Sequence, residues 1–150
     1  MEYDLIRLWL GMISDMGNAA LGRILDYFGG PEELWNVPEH VLRETLTEKQ
    51  SERILCTRDE KKIIVYKNRL KERNITYIYP GHPYFPEVLR EIPDCPFLLY
   101  AKGCVETLKT DRTGIAIVGA RKASAYGKEM AEQFASVLAG YRTGIISGLA

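Results

Sequence analysis

The opening stretch YDLIRLWLGMI is apolar at positions 5, 6, 8, 9, 10, 12 and 13. That density is too high for one narrow stripe and predicts a helix packed on several sides. In SDMGNAALGRILDYFGG, apolar positions 21, 24, 25 and 28 follow the i, i+3, i+4, i+7 spacing of an amphipathic helix. Asn18 is its expected cap, and Gly29-Gly30 its stop. Pro31 opens a short helix in PEELWNVP, and Pro38 another in PEHVLRETL. TEKQSERILCTRDEKKIIVYKNRLKERN reads as one longer helical region, basic toward its end. Five helices joined by Gly- and Pro-marked turns predict a small all-helical domain over residues 1–73.

The period changes near residue 75. ITYIYP is rich in β-formers and ends at a Pro-Gly turn. PEVLREI offers a helical turn or two, PFLLYAKG reads as a strand closed by Gly103, and CVETLKTDRT is a polar connection. GIAIVG is a continuous apolar run of the kind that parallel sheets bury on both faces. SAYGKEMAEQFASVLAGY is apolar at helical spacing (130, 131, 134, 135, 138), and GIISGLA is a second expected buried strand. Residues 114–150 therefore spell strand, loop, helix, strand. The expected class is α/β: a helical N-terminal domain, then, over 74–150, the first half of a Rossmann-like doubly wound sheet. A second strand with no loop after SGLA leads us to expect a sheet cut short at Ala150.

Composition narrows the function classes. With 46% hydrophobic and 27% charged residues in 150, the chain reads as globular, and no apolar run approaches the ~20 residues of a membrane span. The N-terminus lacks the pattern of a signal peptide. Cys56, Cys95 and Cys104 are odd in number and form no C-x-x-C, as expected of free thiols in a reducing cytoplasm. Net charge is zero, but unevenly spread. Residues 1–50 carry 4 Lys+Arg against 9 Asp+Glu, 51–100 carry 9 against 7, and 101–150 carry 7 against 4. An anion site is therefore expected in the back half.

The loop VGARKASAYG (118–127) is the strongest candidate there. A strand that turns tightly into a helix aims backbone N–H groups at one point, where the helix dipole favours negative charge. Aligned from Gly119, the dinucleotide pattern G-x-G-x-x-G would need glycine at Arg121 and at Ser124. An arginine there fills the place of a pyrophosphate, so a nicotinamide or flavin dinucleotide is not expected. Arg121 instead offers a two-pronged contact to phosphate oxygens, Lys122 a point charge, Ser124 a cap or a hydroxyl, and Tyr126 a stacking face. The plainer alternative keeps Gly119 and Gly127 for strand–helix packing, Ser124 as an ordinary cap and Tyr126 in the core.

Taken in order, YPGHPYFPEVLREIPDCPFLLYAKG (79–103), IAIVGARKASAYG (115–127) and IISGLA (145–150) resemble the DNA-processing protein A family, also called DprA or Smf. The resemblance implies a helical domain of sterile-alpha-motif or helix-hairpin-helix type followed by a Rossmann-type domain. It further implies binding of single-stranded DNA during natural transformation, loading of RecA recombinase, and a homodimer in the full-length protein. It carries the family's anion-binding loop onto Gly119, Arg121, Lys122, Ser124 and Gly127, and its Ser-Gly-x-Ala turn onto Ser147, Gly148 and Ala150. No catalytic residue, metal or cofactor is expected.

GMISDMGNAALGRIL (11–25) has the outline of a DNA-binding helical hairpin, but its acidity suits a protein contact better. The helix over 58–73 is basic, yet Asp59, Glu60 and Glu72 interleave as on a solvated face. The aromatics of YIYPGHPYF (77–85) suit packing more than base stacking. His40 and His82 have no partner at metal-ligand spacing, and neither G-x-S-x-G nor a Walker A loop occurs. The competing readings are a phosphoribohydrolase-like nucleotide enzyme and a non-catalytic interaction module.

Overall fold

The computed structural model describes residues 3–108, 113–141 and 143–148. The architecture is α/β, and the chain divides into two compact units, Met1–Lys109 and Thr110–Ala150.

In the first unit, six α-helices precede two strands: α1 (Tyr3–Ile13), α2 (Asn18–Phe28), α3 (Pro31–Asn36), α4 (Glu39–Thr45), α5 (Glu48–Thr57) and α6 (Glu60–Glu72). A 3₁₀ turn at Ser14–Met16 links the first two. The long helical region expected over 47–74 is two helices. Thr47 and Gln50 form a reciprocal capping box that starts α5. The Asp59 carboxylate accepts from the Lys61 and Lys62 amides and starts α6. Two capped N-termini within a dozen residues are incompatible with one continuous helix. The expected Asn18 cap is also corrected. Gly17 is the cap residue, without a side-chain cap bond, and Asn18 Nδ2 instead donates to the Asp94 carbonyl at 3.4 Å.

α1 is buried on several sides, as its apolar density requires: Leu8, Trp9, Leu10 and Ile13 are inaccessible to solvent. They join Leu21, Leu34, Leu42, Ile54 and Ile63 in one core. Trp9 meets the edge of Trp35, and its indole N–H donates to Thr57 Oγ1 at 3.0 Å, so the buried polar atom is satisfied.

The strands β1 (Ile75–Ile78) and β2 (Leu99–Lys102) pair antiparallel, Ile75 opposite Lys102 and Ile78 opposite Leu99, in a sheet of their own. Phe97 and Leu98 pack against the helical core. The Pro80-Gly81 turn is closed by the His82 amide bonding the Tyr79 carbonyl at 2.8 Å, with Gly81 at φ +106. This is the conformation in which glycine follows proline most readily. A 3₁₀ turn at Glu87–Leu89 takes the place of the expected helical turns, and another at Val105–Leu108 lies in the polar connection.

The second unit is a βαβ element: β3 (Gly114–Ala116), α7 (Ala125–Gly140) and β4 (Gly144–Ile146). The strands pair in parallel, Gly114 opposite Gly144 and Ala116 opposite Ile146. The helical crossover appears where the pattern places it. The expectation that both strands are buried on both faces is corrected: no residue of β3, β4 or α7 is fully buried. Ile146, Phe134 and Val137 are each about 60% exposed. One helix turns Ala131, Ala135 and Leu138 to partial burial, and two three-residue strands have too little surface to bury both of their own faces.

Candidate functional site

Parallel pairing brings the candidate residues to one edge. Because β3 and β4 run the same way, the loop after one and the turn after the other leave from the same side of the sheet. The Ile117 amide extends the ladder by bonding the Ile146 carbonyl at 2.9 Å. Ser147 and Gly148 therefore begin beside the start of the 118–124 loop. Carboxyl edges of parallel strands are where open α/β sheets take ligands.

The loop enters α7 through Ser124, which has extended backbone and accepts the Gly127 amide on its hydroxyl at 3.1 Å. The Ser124 carbonyl takes the Lys128 amide at 3.1 Å. These bonds occupy the third and fourth amides of the helix. Those of Ala125 and Tyr126 stay at the open end, with the positive pole of a 16-residue helix behind them. Ser124 is thus a helix cap, with its hydroxyl engaged in that bond. No acidic residue lies in the first turn.

Arg121 and Lys122 are exposed on this loop, and among the described residues no hydrogen bond or ion pair holds either of them. Tyr126 is 70% exposed, so the alternative that buries it in a core does not hold within this unit. Gly119 has no neighbour within 4 Å of where a Cβ would stand, and its φ is not positive. Packing of strand on helix therefore does not account for Gly119. Gly148 has the same open surroundings, whereas a Cβ on Gly127 would meet Ser124 Oγ at 3.4 Å. Of the candidates, the structure links Ser124 to Gly127 by a bond and places Ser147 and Gly148 on the same edge; Ala150 lies outside the described residues.

A second polar cluster, missed in the sequence, lies in the first unit. Asp4 Oδ2 accepts from Lys67 Nζ at 2.9 Å and from the Tyr77 hydroxyl. Partial burial alone would raise the Asp4 carboxyl, but the Tyr77 and Lys67 hydrogen bonds and the Lys67 charge together hold it below its ordinary value. The partners are 63 and 73 residues away, beyond the reach of any local pattern. Among the described residues, no group of three or more His, Cys, Asp or Glu side chains could hold a metal ion. No described helix is long and apolar enough to cross a membrane.

Comparison with known proteins gives this geometry a family. The model described as DNA recombination-mediator protein A matches residues 76–150, half of the chain, including β2, the whole βαβ element and all but the first residue of β1. Protein Smf of Synechocystis sp. is 26% identical over 148 residues, covering 95% of this chain and 37% of its own length. The chain thus spans little more than a third of that relative. No solved structure matches it.

Proposed function

The chain belongs to the DNA recombination-mediator protein A family, and on that premise we propose that it binds single-stranded DNA through the carboxyl edge of β3 and β4. The loop amides and the Arg121 guanidinium take phosphate oxygens, Lys122 adds charge, Tyr126 stacks on a base, and Ser147 and Gly148 border the strand's path. The role is non-catalytic and cytoplasmic: holding incoming single strands in DNA uptake and presenting them to RecA recombinase, as a homodimer in the full-length protein.

The observation that carries this reading is the loop itself. Two unengaged cations and the bare backbone of Gly119 sit at the positive end of α7, within the segment the family model matches. Phosphate contacts dominate such binding, so affinity should fall with salt and depend little on sequence.

Fluorescence anisotropy with a labelled oligothymidylate tests it. Arg121→Ala is expected to weaken binding by about 1–3 kcal/mol, roughly 5- to 150-fold, and to flatten the salt slope by about 0.7. Gly119→Ala should weaken binding without lowering the melting temperature. Unchanged affinity in both variants would remove the loop from the interface. Release of free base from a nucleoside monophosphate would instead identify a nucleotide hydrolase.

A further inference from the structure

We propose that the cleft between the start of α1, the end of α6 and β1 is a second anion site, built to take one phosphate group. The cleft has a volume of about 620 Å³ and lies wholly within the first unit. Its floor is Leu70 and Ile75, and Asn74 and Gly103 stand at its rim where β1 begins and β2 ends. Asp4, Lys67, Lys71, Thr76 and His82 supply its polar wall.

The balance of charge selects the ligand. Asp4 is the one acid among the described lining residues, and Lys67 and Tyr77 already bond its Oδ2. Lys67 and Lys71 stand four apart on α6, so two ammonium groups share a face, an arrangement that costs an isolated helix a few tenths of a kcal/mol. Asp4 relieves only the first of them. No carboxylate pairs with Lys71 among the described residues. His82 Nδ1 accepts the Tyr84 amide at 3.2 Å, which leaves Nε2 as the donor edge of the imidazole. Asn74 and Thr76 also line the cleft. Among the described residues, a metal cation entering here would meet two ammonium groups and one carboxylate already in use.

The negative pole of α6 does not cancel this preference. The Arg69, Leu70 and Lys71 carbonyls accept from the Arg73 amide, and the Lys71 carbonyl also accepts from Asn74. The chain turns at Asn74, φ +54, and so gives these carbonyls partners within the chain.

The ligand is therefore a phosphate group, carried by the free ion, by a nucleotide or by a nucleic-acid strand. This site does not rest on the loop at 118–127, and its test is separate. The intact chain is titrated with inorganic phosphate at constant ionic strength, and the amides of Asn74, Thr76 and Gly103 are followed by NMR. Saturable shifts confined to these amides are expected, with none from chloride at matched ionic strength. Lys71→Gln should raise the apparent Kd about fivefold or more, Lys71→Arg should largely restore it, and Arg121→Ala should leave it unchanged. Parallel titrations with a mononucleotide and an oligonucleotide identify the carrier by which saturates at the lowest concentration. Linear, non-saturating shifts, an equal response to chloride, or unaltered affinity in a folded Lys71→Gln variant would overturn the proposal.

Discussion

Two helical glycines in the first unit invite the same substitution and should answer it in opposite directions. Gly11 lies in α1, where β2 comes down on it: a Cβ there would stand 2.2 Å from Leu98 Cδ2, 3.2 Å from Leu98 Cβ and 3.1 Å from the Tyr100 hydroxyl. Gly22 lies in α2, where the nearest atom to an added Cβ is Phe97 Cζ at 3.9 Å, an ordinary contact. Alanine gains up to about 1 kcal/mol over glycine in a helix interior. At Gly22 nothing opposes that gain, so Gly22→Ala should stabilise by about 0.5–1 kcal/mol. At Gly11, overpacking costs about 1–3 kcal/mol, because Leu98 must leave its place against the core and take β2 with it. The net effect of Gly11→Ala is a loss of about 0–2 kcal/mol, and Gly11→Val deepens it. At roughly 4 °C per kcal/mol for a unit of this size, thermal unfolding followed by far-UV circular dichroism resolves the difference. Gly22→Ala should melt a few degrees above the parent, and Gly11→Ala at or below it. Equal upward shifts in the two alanine variants would show that β2 does not press on α1 and that the ribbon is not part of the helical core.

Ser124→Ala removes the bond to the Gly127 amide and should cost α7 about 1 kcal/mol at its N-terminus, seen as roughly fivefold faster hydrogen exchange at Gly127. An unchanged exchange rate would mean that the cap does not hold the loop. The Asp4 carboxyl lies below its ordinary value in the folded chain, so its contribution to stability is fully present above that ordinary value and is lost as pH falls through the lowered one. Melting temperature should therefore drop between about pH 5 and pH 2, and Asp4→Asn should show a smaller drop over the same range; equal drops would place the acid sensitivity elsewhere.

What could be read from the sequence was what depends on near neighbours. The Gly and Pro stops at 29–31, the Pro80-Gly81 turn and the strand–loop–helix–strand order after 114 all follow from backbone restriction or period, and all are present. The break between α5 and α6 was also there to be read, in Thr47-x-x-Gln50 and in Asp59. Neither glycine nor proline marks it, unlike the stops earlier in the chain. Asn18 was a reasonable cap by residue type, and lost that role to a carbonyl 76 residues away. Strand burial depends on how many neighbours a strand has, which no run of apolar residues encodes. The partners of Asp4, at 67 and 77, meet only because α6 and β1 fold back on α1.

The glycines separate what the fold requires from what it leaves open. In the first unit every glycine but Gly22 has an internal reason: positive φ at Gly17, Gly29, Gly30, Gly81 and Gly103, and a tight approach at Gly11. In the second unit Gly119, Gly140 and Gly148 have ordinary φ and open surroundings. Openness alone does not mark a site, since Gly140 closes α7 at the end away from the loop. What distinguishes Gly119 and Gly148 is position: both lie at the carboxyl edge of the parallel strands, one of them between the ladder and two unengaged cations. A side chain at either would cost the fold little and would stand where a phosphate must approach backbone. Stability and binding should therefore part company at Gly119, and at no glycine of the helical unit should they part in the same way.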